Sequence, residues 1–92
     1  MDRNNTQGLV LFEYFTCPFC FMTRRVIKQL GIDIERRDIL KNSDFRQELI
    51  KGGGKSQVPC LRIEENNQVT WLYESAEIIG FLKSRFAVEV PQ

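Results

Sequence analysis

Cys17 and Cys20 are the residues through which this chain is equipped to do chemistry. They lie in Thr16-Cys17-Pro18-Phe19-Cys20, where a run of apolar residues gives way to a helical pattern. A C-x-x-C at such a junction is the spacing of a redox dithiol or of half a metal site. Proline is favoured at the first helical position, which puts Cys17 at the N-cap. There its sulfur faces the free backbone N–H groups and the positive end of the helix dipole, and both favour thiolate over thiol. Cys20 follows one turn on, on the same face and within reach. The pair therefore reads as a nucleophile, Cys17, with a resolving partner, Cys20.

Lowering a thiol's pKa by about three units raises its thiolate fraction at pH 7 about 30-fold but cuts its intrinsic nucleophilicity about 20-fold. The two nearly cancel. The larger gain is a sulfur that leaves well and is the preferred target in a mixed disulfide. That suits a thiol cycling through mixed disulfides with a small thiol. The competing readings are half a zinc site and two inert buried cysteines. Zinc takes four ligands, and beyond this pair the chain offers only Cys60 and no histidine. The lack of histidine also removes Cys-His and Ser-His nucleophile pairs.

The elements that hold the pair are legible from periodicity. Leu9 to Phe15 is a near-continuous apolar run, the pattern of a strand buried on both faces. Met22, Val26 and Leu30 recur every fourth residue with Ile27 on an adjacent line, which predicts a helix from Pro18 with these residues inward and Gly31 as its stop. Ile32 to Ile39 alternates as a second strand. Asn42 or Ser43 caps a helix with Phe45 and Leu49 inward, ending at Gly52-Gly53-Gly54. Val58 to Ile63 is a third strand, with Pro59 near its start, where a missing donor is tolerated. Glu65-Asn66-Asn67 is a turn and Val69 to Tyr73 pairs back as a fourth strand. Ser75 caps a last helix carrying Ile78, Ile79, Leu82 and Phe86. Residues 1–8 read as a frayed lead-in. The order strand-helix-strand-helix-strand-strand-helix predicts one α/β domain over residues 1–92, a four-stranded mixed sheet with helices on both faces.

Composition sets the outer bounds. Ninety-two residues support a single core. A formal net charge of +1 gives no field to gather nucleic acid or an anionic membrane. Basic runs stop at Arg24-Arg25 and Arg36-Arg37, as on solvated faces. The polar start, MDRNNTQG, and an apolar run interrupted by Glu13 match neither a signal peptide nor a membrane span, so the expected address is cytoplasmic. In that reducing compartment three cysteines do not form a disulfide framework.

Three motifs now fall in order: Cys17-Pro18-Phe19-Cys20 after the first strand, Gln57-Val58-Pro59 opening a later one, and Glu74-Ser75 opening the last helix. Together, from Leu9 to Phe86, they resemble a dithiol glutaredoxin of the thioredoxin-like fold. Thioredoxins proper carry Trp-Cys-Gly-Pro-Cys, from which Thr16 and Pro18 depart. The resemblance implies that Pro59 is a cis proline facing Cys17. It implies that Val58 offers its backbone N–H and C=O to the cysteinyl part of glutathione, that Phe19 lines the groove, and that Glu74 and Ser75 meet the γ-glutamyl end. A helix N-terminus binding a carboxylate agrees with this. The plainer readings are an N-cap at Ser75 and an exposed aromatic at Phe19. Many glutaredoxins carry a lysine three residues before the first cysteine to meet the glycine carboxylate. Tyr14 stands there in this chain, with Lys51 and Lys55 as possible replacements.

What the resemblance implies for function is glutathione-dependent reduction of protein disulfides and protein–glutathione mixed disulfides. Glutathione is then the co-substrate and a separate glutathione reductase recycles its disulfide. A monomer is expected, with no metal, nucleic acid or membrane partner. Two alternatives stand beside it. One is an iron–sulfur cluster carrier held through Cys17 and glutathione between two protomers, although such carriers more often have Cys-Gly-Phe-Ser. The other is a dedicated hydrogen donor to an enzyme such as ribonucleotide reductase. Glu74-Ser75 also resembles the N-terminal domain of glutathione transferases, whose all-helical second domain 92 residues leave no room for. Cys60, directly after Pro59, reads as a buried structural thiol or an alternative disulfide partner. Gly54-Lys55-Ser56 has the ending of a phosphate-binding loop, but the earlier glycine would fall at Leu49 and a helix precedes it.

Overall fold

β1 (Leu9–Glu13) is the strand on which the sheet is built, and each of its residues is buried. The computed structural model describes residues 6–86. After β1 come α1 (Pro18–Gln29), β2 (Glu35–Asp38), α2 (Ser43–Gly53), β3 (Cys60–Glu65), β4 (Gln68–Leu72) and α3 (Ser75–Phe86). The sheet order is β2-β1-β3-β4. β1 runs parallel to β2 and antiparallel to β3, so the sheet is mixed. The parallel pair needs a crossover, and α1 supplies it.

Alternation along β1 divides the core in two. Leu9 and Leu11 face Ile27, Ile78, Leu82 and Phe86, the layer under α1 and α3. Val10 and Phe12 face Ile39, Leu49 and Cys60, the layer under α2. Burying one such aliphatic or aromatic side chain contributes about 1.5–3 kcal/mol. β3 and β4 close a hairpin in which Glu65 pairs with Gln68. Its two turn residues, Asn66 and Asn67, have φ of 54° and 63°. Both central residues of a tight hairpin turn need positive φ to match the strand twist, and asparagine tolerates it.

The elements appear in the predicted order and differ in detail for physical reasons. β1 ends at Glu13 rather than Phe15, because Cys17 N–H turns back to Tyr14 O at 3.3 Å to start the helix. Phe15 is left 74% exposed. β2 pairs only over Glu35–Asp38; Ile32 and Ile34 are buried in the run leading into it. β3 starts at Cys60, since Pro59 has no N–H to give the ladder. β4 stops at Leu72, which leaves Tyr73 beyond the ladder.

The inward face of α1 is the largest departure. Its buried line is Cys20, Thr23 and Ile27, while Met22 is 49% exposed and Val26 and Leu30 are half-buried. Periodicity counts Thr23 as polar, but its hydroxyl donates to Phe19 O at 2.9 Å. A satisfied hydroxyl costs little to bury. The face toward the sheet is therefore the one that carries Cys20.

α2 is capped by Asn42, whose Oδ1 accepts Asp44 N–H at 2.9 Å. It ends at Gly54, which takes a left-handed φ of 95°. Gly52 and Gly53 lie within the helix rather than after it. A Cβ at Gly52 would overlap the Trp71 indole, and one at Gly53 the Tyr73 hydroxyl. α3 begins at Ser75 itself, so Ser75 is its first helical residue rather than its cap; Ile78 N–H donates to Glu74 O at 2.9 Å. Of the predicted lead-in, residues 1–5 lie outside the described residues. Thr6–Gly8 are tied in: Leu9 N–H donates to Thr6 O at 3.1 Å and Glu64 N–H to Gly8 O at 2.9 Å. Among the described residues no helix is long and apolar enough to cross a membrane.

Candidate active site

Cys17 is the N-cap of α1, with extended backbone (φ −74°, ψ 122°) and Pro18 at the first helical position. Its sulfur accepts the backbone N–H of Cys20 at 3.3 Å. The N-cap place that proline dictates thus aims the sulfur at the open end of the helix. All three cysteines are free thiols. Cys17 is 5% exposed, whereas Cys20 and Cys60 are fully enclosed. Solvent-borne chemistry can begin only at Cys17.

Cys20 is pushed up to about 12, first by burial and next by its hydrogen bond with Cys17; the Tyr14 backbone opposes the shift. It is therefore held as a thiol at neutral pH. Cys60 is also pushed up to about 12, by burial. The neighbouring Tyr73 hydroxyl opposes the shift. The two cysteines of the C-x-x-C pair are thus unequal: one reachable, the other buried beneath it and protonated.

The loop from Glu13 to Cys17 is fastened at both ends. Glu13, buried in β1, forms an ion pair with Arg24 of α1. The same guanidinium donates to Phe15 O at 2.9 Å and lies 5.2 Å from the centroid of the Phe15 ring. Removing one partner of such a buried pair strands the other charge, which makes this a costly place to mutate.

Beside the dithiol is a cleft of about 120 Å³ lined by Phe19, Gln57, Val58, Pro59, Tyr73, Glu74 and Ser75. Each of the five residues predicted to surround Cys17 is in this wall. Phe19 comes from the first turn of α1, Val58 and Pro59 from the loop before β3, and Glu74 and Ser75 from the start of α3. The Val58–Pro59 peptide bond is cis, as the resemblance implies. Gln57 and Tyr73 were not predicted as site residues. Gln57 opens the Gln57-Val58-Pro59 motif and Tyr73 precedes Glu74-Ser75, so the signal available was membership of one motif and adjacency to another.

Tyr73 reaches the cleft because β4 ends before it and Gly53 leaves it room. Its hydroxyl donates to Lys55 O at 2.9 Å and accepts Lys55 N–H at 3.3 Å. The Lys55 ammonium lies 4.8 Å from the centroid of the Tyr73 ring. That places a cation at the edge of the cleft. Tyr14, at the position where a lysine was sought, packs against the layer under α2 instead. Lys51 is exposed on α2. Among the described residues no three His, Cys, Asp or Glu side chains come together in a group able to hold a metal ion.

A mixed four-stranded sheet, with a helix starting on a dithiol and a cis proline lining the cleft beside it, defines a thioredoxin-like fold. The family model for glutaredoxin matches residues 9–67, and the chain belongs to the glutaredoxin family. A curated relative, prostaglandin E synthase 2 of Mus musculus, is 27% identical over 84 residues, covering 91% of this chain and 21% of the relative. The chain thus spans about a fifth of that protein's length. Among solved structures, maleylacetoacetate isomerase from Anaeromyxobacter dehalogenans, with GSH bound in its active site, superposes with a TM-score of 0.66 at 26% identity. The match covers 86% of this chain and 38% of that one. A thioredoxin-like protein superposes at 0.67 with 18% identity over 90% of this chain and 99% of its own, a likeness of fold alone.

Proposed function

We propose that the protein is a glutathione-dependent thiol–disulfide oxidoreductase acting on protein–glutathione mixed disulfides and protein disulfides. The observation that carries this is the inequality of the two thiols beside a cleft lined by Val58, the cis Pro59, Glu74 and Ser75. Cys17 thiolate attacks the glutathionyl sulfur of a mixed disulfide, forming a Cys17–glutathione disulfide and releasing the protein thiolate, which takes up a proton. A second glutathione thiolate then attacks the bound glutathionyl sulfur, giving glutathione disulfide and regenerating Cys17. For a protein disulfide, Cys17 forms the mixed disulfide and Cys20 attacks the Cys17 sulfur. The substrate leaves as a dithiol, and two glutathiones reduce the Cys17–Cys20 disulfide. Cys20 serves this order of events because burial keeps it a thiol while Cys17 makes the first attack; it gives up its proton when it attacks the Cys17 sulfur.

Glutathione fits the cleft in parts. The Val58 backbone pairs with the cysteinyl peptide, and the free N–H groups at the start of α3, with Ser75, take the γ-glutamyl carboxylate. Lys55, held against Tyr73, takes the glycine carboxylate in place of a lysine at position 14. That a related solved structure holds GSH in its own active site supports this reading. The test is turnover of a glutathionylated peptide with glutathione, glutathione reductase and NADPH. Wild-type protein consumes NADPH and Cys17→Ser does not; a serine variant that keeps its rate removes Cys17 from the mechanism.

A further inference from the structure

α1 has a second flank, and the glutathione cleft does not use it. Phe19 faces the cleft, while Phe21, Arg24, Arg25, Lys28 and Gln29 line a separate groove of about 490 Å³. Positions 21, 25 and 28 are spaced at one helical turn, so they form a single stripe. Phe21 is 56% exposed, and Phe15, beneath the Arg24 guanidinium, is 74% exposed. Apolar surface rimmed by charge marks interaction sites.

The charge on this flank has one sign. α1, PFCFMTRRVIKQ, contains no acidic residue. Arg24 is satisfied by Glu13 and the Phe15 carbonyl. Arg25 and Lys28 are exposed and enter none of the ion pairs formed among the described residues. The stripe begins at the thiols: Phe21 N–H donates to Cys17 O at 2.9 Å. From Cys17 to Lys28 is roughly 16 Å along the helix, the reach of about five extended residues.

We propose that this flank is a docking groove for the protein substrate, and that it fits an extended segment with large apolar and acidic residues beside its reacting cysteine. The proposal rests on the oxidoreductase reading and names the substrate class for it. Phe21 takes the apolar side chain; Arg25 and Lys28 pair with the carboxylates. Glutathione then enters from the Phe19 side and protein from the Phe21 side, with Cys17 between them. Two free cations in a mostly apolar groove match a short acidic peptide better than a polyanion, which needs a longer basic track.

The experiment separates docking from chemistry. A fluorescein-labelled cysteine-free peptide of Glu and Leu, a Lys and Leu counterpart and a single-stranded DNA oligomer are titrated by anisotropy against wild type and R25E/K28E. Wild type binds the acidic peptide about tenfold more tightly than the basic one, and the charge swap reverses that order. Equal binding of the two peptides, an unchanged order in the swap, or tighter binding of DNA overturns the proposal. Neither residue touches the thiols or the cleft, so turnover of bis(2-hydroxyethyl) disulfide with glutathione is the same in both proteins. Absence of that turnover in wild type defeats the oxidoreductase reading, while the anisotropy still decides whether the groove prefers acidic peptide.

Discussion

Cys20 and Cys60 are alike in burial and in protonation, and they differ in what stands next to them. Both are fully enclosed, and burial pushes both up to about 12. Cys20 sits one helical turn from a second thiol, with its own N–H on the Cys17 sulfur. Cys60 sits in β3, among Val10, Phe12, Ile39 and Leu49, with Tyr73 as its polar neighbour. In the function proposed, Cys20 is the resolving group because a reachable thiol lies beside it, and Cys60 is a packing group. Neighbours rather than the thiol itself assign the role.

The strongest way to break this contrast is to remove each sulfur in turn. Cys17→Ser lowers glutathione-dependent turnover of a mixed disulfide about a thousandfold or more. Cys60→Ala, measured alongside, stays within about twofold, because its sulfur acts as a small hydrophobe. Comparable losses in the two would erase the distinction. Cys20→Ser sharpens it. That variant keeps deglutathionylation within a few-fold and loses reduction of a protein disulfide in a single turnover without glutathione. Retention of that single turnover would mean that some other group resolves Cys17.

Smaller effects concern the wall that Tyr73 provides. Gly53→Ala puts a methyl on the Tyr73 hydroxyl. Overpacking of this kind costs about 1–3 kcal/mol, read as a lower urea midpoint, and displacement of Tyr73 raises KM for glutathione. An unchanged midpoint and KM would show that the helix end can shift freely. The mildest prediction is an alkaline one. Cys20 and Cys60 have raised pKa values in the fold, so the unfolded chain releases their protons first as pH rises. Their contribution is whole below about pH 9 and is lost as pH climbs toward about 12. Urea midpoints fall across that window, and Cys60→Ala makes the fall shallower; an equal slope in the variant contradicts the assignment.

Much of this arrangement is readable from the chain. The dithiol, the proline that fixes Cys17 at the N-cap and the hairpin turn at Asn66 and Asn67 follow from residue type and spacing, while the five wall residues are what the family resemblance implies. What escapes the sequence depends on contacts between distant segments. Nothing local says that Thr23 is buried or Met22 exposed; that follows from a hydroxyl satisfied within its own helix and from the face Cys20 must take. Gly52 and Gly53 read as a helix end, yet they lie within the helix, where Trp71 and Tyr73 leave no room for a Cβ. Tyr73 joins the cleft through that packing and is tied to Lys55 at a separation of 18 residues, which no periodicity encodes.

The central claim, that adjacency singles out one pair of thiols among three, is tested most directly by disulfide mapping. Protein oxidised with glutathione disulfide is alkylated, digested without reduction and read by mass spectrometry. The prediction is a Cys17–Cys20 disulfide with Cys60 alkylated as a free thiol only after unfolding. A disulfide from Cys60 to Cys17, or glutathione on Cys60, would contradict it.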